Sequence, residues 1–521
     1  MDGQFYNLMY MADFYKVSHK VQYPENVTRV SSTLVARGAK YNPEISTDRF
    51  YWFGVKLFIE KLEAFQEWFF GLTPEQAAKE ISDYKVFLDT RLGGDQNVTH
   101  WVELWHQDKL PITVHAQPER TWVDFQTPVA VVENTDDRFP WLTSFIETTM
   151  LSNVWGVTTA ANRAKHIRDT IESYMEGYSA DELAAVDFMG HDFSYRGLIG
   201  DEAATLTGCG HLSVFKGSDT IPAARAMERV YGEITGFSVP ATEHSVMCAG
   251  GKETEAETYG RILDIYPSGI VSIVSDTWDY FKVLTETIPS MKDRIMARDG
   301  KVVIRPDSGD PVDIVCGIPL VEVPDGSDLE DFMRDYIWEE VQEDTPHGEI
   351  GSDSVFYLVR HKGKTFKVEA NGLFWNRYDK QYYYLEEVGK IEIREVELTP
   401  SQRGTLELLD ETFGHTLDSG GLKVLDSHIG VIYGDGMNQT RIKQMLDRMV
   451  AKGYSPLNVV FGIGAFTYQF MTRDELGWAF KATAVEQDGE WVSIQKDPAT
   501  DPGKKSLTGR QPTAGMELIF G

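Results

Sequence analysis

A chain of 521 residues is too long for one simple core and implies two or three domains. Its 42% hydrophobic content can fill large cores, while 80 acidic against 50 basic residues leave a net charge of −30. That balance argues against a nucleic-acid-binding surface, which needs a basic footprint, but leaves room for a local basic pocket for phosphate groups.

Three scattered cysteines without CxxC spacing, Cys209, Cys248 and Cys316, argue against a disulfide framework or structural zinc and fit a reducing compartment. The N-terminus "MDGQFYNLMY" has no basic region followed by an apolar run, and no apolar stretch is long enough to span a bilayer. A soluble cytoplasmic protein, with neither nucleic acid nor membrane as partner, is expected.

Residues 1–150 read as mixed α+β. "VKLFIEKLEAFQEWFF" has helical apolar spacing, and "PITVHAQPERTWVDFQTPVAVVENTD" reads as short strands broken by turns. From about residue 141 a helical stretch leads into a repeating pattern of strand, polar tip and helix. "HLSVFKGSDT", "GFSVPATEHS", "GIVSIVSDTWD", "KVVIRPDSGDP", "IGVIYGDG" and "NVVFGIGAF" are short β-branched runs ending in charged or glycine-rich residues. Parallel strands of a barrel deliver side chains to one face in this way.

Asp219 to His244 spans 25 residues, His244 to Ser275 31, Ser275 to Asp307 32 and Asp435 to Gly464 29, the length of a βα unit. Asp307 to Asp435 spans 128 residues, so an insertion interrupts the beat. Residues 317–403 open with the acidic run "DGSDLEDFMRDYIWEEVQEDT" and continue with strand-like segments, which reads as a small separate α+β module in a barrel loop. The expected fold is α/β: an irregular (β/α) barrel-like domain in two parts (151–316 and 404–474), an α+β N-terminal domain, and the inserted module.

The strand ends carry the chemistry. In "IRPDSGDP" Arg305 can clamp an anion and Asp307 can bind hydroxyls or Mg²⁺, or the two close a turn as a local ion pair. "GDG" (434–436) is also an ordinary turn signal, and "FGIGAF" either exposes backbone N–H groups to a phosphate or allows close strand–helix packing. His244 in "TEHS", taken alone, reads as a satisfied structural histidine. In "HDFSYRG" Phe193 can stack on a flat ring and Arg196 can engage an anion; the alternative is an aromatic at the end of a core strand. "KDPATDPGKKSLTGR" places Lys496, Lys504, Lys505 and Arg510 in an otherwise acidic chain, as a phosphate-binding flap or a solvated loop.

Ten stretches in order, "DFYKVSH", "VENTD", "HDFSYRG", "FKGSDT", "SVPATEHS", "VSDTWD", "IRPDSGDP", "YGDG", "TRDELGWAFK" and "KDPATDPGKKS", resemble the nicotinamide phosphoribosyltransferases of the type II phosphoribosyltransferase family. The resemblance covers nearly all of the chain except 317–403. It implies condensation of nicotinamide with 5-phosphoribosyl 1-pyrophosphate, with Mg²⁺, in a homodimer with shared sites, coupled to ATP through a phosphohistidine.

By motif, the resemblance makes Phe193, and Tyr15 from a second copy, the faces of a slot for the pyridine ring, with Asp13 beside Tyr15. Asp219 would bond the carboxamide. Arg196 and Arg305 would meet phosphate groups; Asp307 and Asp435 would lie at the ribose, Ser275 and Gly434 at the substrate and Gly464 at the 5′-phosphate. Arg473, Lys481, Lys496 and Lys504 would add positive charge. His244, supported by Asp279, would carry the phosphoryl group, with Mg²⁺ near Asp279 and Asp307. Residues 475–521 would return to the N-terminal domain, which would serve the second copy's site.

Two departures stand out. Ile463, Ala465 and Phe466 interrupt a loop that the family fills with glycine, and Ala479 replaces a small hydroxyl residue. Three other readings are a nicotinate phosphoribosyltransferase, a metal-dependent barrel hydrolase built on His191, Asp192, His244 and Asp279, and a non-enzymatic scaffold.

Overall fold

The structure is a computed structural model that describes residues 6–41, 48–342, 349–350, 354–371, 373–376, 381–384, 390–500 and 505–521. Both ends of the chain build its first layer. A six-stranded antiparallel sheet runs in the order Glu490–Ser493, Ala479–Gln487, Val27–Val35, Pro128–Asn134, Ile112–Ala116, Glu517–Phe520. The helices Val55–Phe70 and Pro74–Leu92 join this layer through a core that includes Trp52, Trp101, Trp141 and Trp478. The second helix begins with Pro74 behind a Thr73–Gln76 capping box, which satisfies two otherwise unpaired backbone donors.

One helix, Glu147–Ser173, runs from this layer into the next. Its Met150, Leu151 and Val154 belong to the first core, and its Ala160, Ala164, Ile167 and Ile171 belong to the barrel core. A division at residue 150 therefore falls within a single helix that both layers share.

The barrel sheet is parallel, in the order Gly217–Ser218, Gly190–Asp192, Val459–Ile463, Ile429–Tyr433, Val302–Arg305, Val271–Val274. Its two edges are joined by residues 237–242, where a full strand was expected. Phe237 bridges Gly217 and Ala241 bridges Ser272, both parallel. Pro240 lacks the N–H that a ladder needs at its position, yet its carbonyl accepts from Ser272 N (2.9 Å), and Thr242 N donates to Ser272 O (3.0 Å). The ring closes through this segment. The strand expected in "HLSVFKGSDT" is also short, because residues 211–212 still belong to the helix Gly200–Leu212.

The strands Val302–Arg305 and Ile429–Tyr433 pair directly, Val302 opposite Ile429, so the beat resumes across the insertion. The insertion follows the helix Pro311–Cys316 rather than a strand. It leaves the barrel by a helix-to-strand connection, away from the strand ends that bear the polar residues. Its strands Val321–Glu322, Ser354–His361, Lys364–Asn371 and Ile391–Glu395 form one sheet with a core of its own that includes Val323, Met333, Ile337 and Val368. Among the described residues, no helix is long and apolar enough to cross a membrane.

Candidate active site

The stretch 190–197 is held from beneath. Asp192 is fully buried and its Oδ1 accepts from Ser194 N (2.9 Å) and Ser194 Oγ (2.6 Å), while Oδ2 accepts from Ser218 Oγ (3.1 Å). These bonds fix the turn that raises Phe193 and Arg196 above the barrel. Phe193 N then donates to Ile463 O at 2.9 Å. The Phe193 ring lies over two glycines. A Cβ on Gly462 would stand 2.6 Å from Gly434 Cα and 2.8 Å from Phe193 Cδ2, and one on Gly434 would touch the ring at 3.4 Å.

Asp219 does not cap the helix Ile221–Tyr231: the N-cap is Thr220, whose side chain makes no capping bond and whose N–H donates to Ser218 Oγ at 2.9 Å. Asp219 Oδ1 instead meets His191 Nε2 at 2.9 Å and accepts from Ser238 Oγ. Oδ2 has no hydrogen-bond partner among the described residues. Burial works to raise this carboxyl, but the bonds from His191 and Ser238, with the charge of Arg305, outweigh it and hold it below the ordinary value. The His191 ring also lies 4.5 Å from the Phe193 ring, tilted by 39°. His191 thus ties the aromatic platform to the acceptor.

Arg305 ends its strand half-buried, with Nη2 donating to Thr242 O at 2.6 Å and Nε buried without an acceptor among the described residues. Burial lowers its pKa and the nearby Arg196 adds to that, against the pull of Asp307, Asp219 and Asp276. Asp307 is pushed the opposite way: burial raises its carboxyl despite Arg305, and the carboxylates of Asp276 and Asp435 raise it further. The turn carrying Asp307 is pinned on one side by Tyr433, whose hydroxyl donates to Gly309 O at 2.8 Å.

Asp276 pins it on the other side. This nearly buried carboxylate accepts from Asp307 N (3.1 Å) and Ser308 Oγ (2.6 Å) through Oδ2, and meets His244 Nε2 at 3.2 Å through Oδ1. The support expected from Asp279 is therefore corrected. Asp279 Oδ1 caps the helix Tyr280–Lys282 by accepting from Lys282 N at 3.0 Å. Asp276 lies two residues beyond the strand Val271–Val274 and Asp279 five beyond it, and that offset was the available signal. Ser275 is likewise corrected as a substrate contact: it is fully buried and its hydroxyl donates to Ile273 O at 2.8 Å.

Phe193, Arg196, Asp219, Arg305, Asp307, Gly434, Asp435 and Gly464 thus stand at strand ends of the barrel, and His244 follows the bridging segment 237–242. Gly464 precedes the short helix Ala465–Tyr468, and Phe466, which interrupts the glycine loop, is exposed with its ring edge against Phe470 at 5.4 Å. A second group gathers in the first layer around Glu147, which pairs with both Lys16 and Lys481. Asp13 accepts from Thr148 Oγ1 at 2.5 Å, and Tyr15 is 60% exposed. No hydrogen bond, ion pair or ring contact links Asp13, Tyr15 or Lys481 to the strand-end group among the described residues.

Arg473 is exposed beside Asp474 at 3.4 Å, and Lys496 is exposed. Arg510 forks onto Glu133 with two 2.8 Å bonds, and Lys504 lies outside the described residues. The hydrolase reading fails on geometry. Its four residues point to separate partners: His191 to Asp219, His244 to Asp276, Asp192 to Ser194 and Ser218, and Asp279 to a helix end. No cluster of three potential metal ligands forms among the described residues.

An aromatic platform, an ionised acceptor and two guanidiniums stand on one rim, an arrangement with the chemistry to take a planar ring beside an anion. The chain belongs to the nicotinate phosphoribosyltransferase family, whose family model matches residues 188–518. Residues 7–113 match the N-terminal domain of nicotinamide phosphoribosyltransferase. The chain is 35% identical over 512 residues to the nicotinamide phosphoribosyltransferase of Acinetobacter baylyi, covering 95% of this chain and 86% of that one. It is 29% identical over 521 residues to the enzyme of the same name from Mycoplasma pneumoniae, covering 98% and 96%. The crystal structure of nicotinate-nucleotide pyrophosphorylase from Pyrococcus furiosus is a distant likeness at 11% identity and a TM-score of 0.47, over 96% of this chain and 79% of that one.

Proposed function

We propose that this chain joins nicotinamide to 5-phosphoribosyl 1-pyrophosphate, giving nicotinamide mononucleotide and pyrophosphate. The observation that carries the choice of base is Asp219, an ionised carboxylate with one oxygen bonded by His191 and Ser238 and the other open. A carboxylate only accepts hydrogen bonds, so it suits the NH₂ of a carboxamide and repels the carboxylate of nicotinate. Nicotinate remains the second reading because the family model carries its name.

In this reading Phe193 supports the pyridine ring and Asp219 orients the carboxamide. Displacement at the anomeric carbon passes through an oxocarbenium-like state, and a polyanion departs. Positioning and fixed cationic groups then matter more than proton transfer. Arg305, with a buried Nε lacking an acceptor, and Arg196 are the cations at hand. Asp307 and Asp435 suit the ribose hydroxyls.

The residues also fit Mg²⁺, because Asp307 is raised by burial and by neighbouring carboxylates and would be relieved by a cation. Mg²⁺ commonly binds through one or two carboxylates plus substrate phosphates, and here it would neutralise the departing pyrophosphate. Asp307 and Asp435 would hold it. The separation of Tyr15 from the strand ends of its own chain supports a homodimer in which Tyr15 closes the ring slot of a second copy. His244, exposed and bonded to Asp276, suits phosphorylation by ATP as a coupling device.

The deciding assay follows mononucleotide formation from nicotinamide and from nicotinate, with and without ATP. Preference for nicotinamide and stimulation by ATP are expected. Equal or greater kcat/KM with nicotinate would overturn the choice of base, and absence of labelled phosphate on the protein after incubation with ATP would overturn the coupling.

A further inference from the structure

We propose that the neck between the barrel and the inserted module is a second anion site, built to hold a phosphate group. A cavity of about 360 Å³ opens there, lined by Arg360 and Arg403 from residues 317–403 and by Lys423 and Lys452 from the barrel side, together with acids. The acids are already used. Arg403 bonds Glu407 (2.7 Å) and Glu411 (2.6 Å), and Asp410 accepts from Lys423 and from the Tyr454 hydroxyl, both at 3.0 Å.

Two cations are left over. Lys452 Nζ is buried with no hydrogen-bond partner among the described residues. Among the described residues Arg360 has only a loose pair with the exposed Glu322, at 3.6 Å. A buried ammonium without a hydrogen-bond acceptor carries a desolvation penalty. Burial accordingly lowers the Lys452 pKa, although Glu407 pulls the other way. A phosphate in the cavity would give Lys452 its missing acceptor and the planar Arg360 guanidinium a bidentate partner.

The site is distinct from the strand ends. Lys452 follows the helix Gln439–Ala451 and precedes the strand Val459–Ile463, and Lys423 opens the strand Lys423–Leu425 before Ile429–Tyr433. Both lie in helix-to-strand connections, at the end of the barrel opposite Arg305 and Asp307. A ligand here would bridge module and barrel without touching the reacting atoms.

The test is calorimetric titration of the full chain with inorganic phosphate at constant ionic strength, in an Arg305→Ala background that weakens phosphate binding at the strand ends. One phosphate-binding event should survive Arg305→Ala. Adding Lys452→Met should weaken it at least tenfold while the protein melts no lower than its parent without phosphate. Adding Arg360→Gln should weaken it severalfold, and because Arg360 is half-exposed this variant carries the test if Lys452→Met does not fold. Parallel titrations with pyrophosphate and ribose 5-phosphate separate a product of the reaction from a phosphorylated sugar as the source of the group. Loss of all phosphate binding on Arg305→Ala alone, or unchanged binding on adding Lys452→Met or Arg360→Gln, would overturn the proposal.

Discussion

The barrel mouth and the inserted module are made of similar material, short β-branched strands and helices, yet their charged groups behave differently. At the mouth, Asp219, Arg305, Asp307 and Asp276 lie close enough, and sufficiently withdrawn from water, that Asp219 is held down and Asp307 pushed up. In the module, pairs such as Lys364–Glu395 and Arg394–Glu392 lie on exposed strand faces, where ion pairs contribute little. The mouth spends stability to hold groups in place, whereas the module rests on its own small core. Substitutions of equal chemical size should therefore have very unequal effects in the two regions.

The sharpest contrast is between two glycines. A Cβ on Gly462 would stand 2.6 Å from the Gly434 backbone and 2.8 Å from the Phe193 ring, whereas one on Gly326, in the module, meets nothing within 4 Å. Gly462→Ala must displace the ring platform, and a shift of about 1 Å in a reacting geometry costs on the order of a hundredfold in rate. A fall in kcat/KM of that size is expected for Gly462→Ala and none for Gly326→Ala, with circular dichroism confirming that both fold. Equal activity would show that Phe193 is not the platform.

Next comes Asp219→Asn, which removes a charge and keeps the shape. The variant should stay folded, lose nicotinamide activity and narrow the gap to nicotinate by roughly tenfold or more, since apposed like charges cost several kcal/mol and 1.4 kcal/mol is about tenfold. Because Asp219 caps no helix here, loss of a helix cap does not explain that result. An unchanged ratio of kcat/KM for the two bases would dismiss the specificity argument.

Asp276→Asn should be milder. The amide keeps one acceptor but loses the charge that His244, Ser308 and the Asp307 N–H share. Loss of one charge-assisted bond is about tenfold. The effect should fall on KM for 5-phosphoribosyl 1-pyrophosphate, since Asp276 positions the turn bearing Asp307, and KM for nicotinamide should stay put. Equal movement of both constants would mean general loosening of the mouth.

The regular part of the barrel was legible because βα units repeat at nearly constant length, and Val302 opposite Ile429 shows the same beat across the interruption. Residues 237–242 were misread as a strand because their alternation is strand-like while Pro240 permits only single bridges. Asp276 was missed and Asp279 chosen because both belong to "VSDTWD", and which of two acids turns inward depends on the path after the strand, which composition does not encode. The groups around Asp13 and Tyr15 came from resemblance alone. In the structure their bonds stay within the first layer.

Removing the module should matter least to the chemistry. Its two ends meet: Ile318 N donates to Gln402 O at 3.0 Å, and a Cβ on Gly404 would stand 2.1 Å from Gly317 N. Both glycines have positive φ, +71° and +84°, so the neck is a close backbone crossing that few other residues could make. A chain in which a short flexible linker joins Gly317 to Gly404 would therefore span almost no distance. The loop-closure cost of such a linker changes only slowly with length, and the module takes its own core away with it, leaving the barrel core in place. What leaves is residues 318–403, Arg360 and Arg403 among them, and with these two one wall of the neck cavity. The shortened protein should keep kcat/KM within about threefold and lose several degrees of thermal stability at most, on the scale of about 1–2 kcal/mol. Its stabilisation by inorganic phosphate should be reduced relative to the full chain. Complete loss of activity in a protein that still folds would place part of the module in the reaction, and the contrast between the two regions would then be wrong.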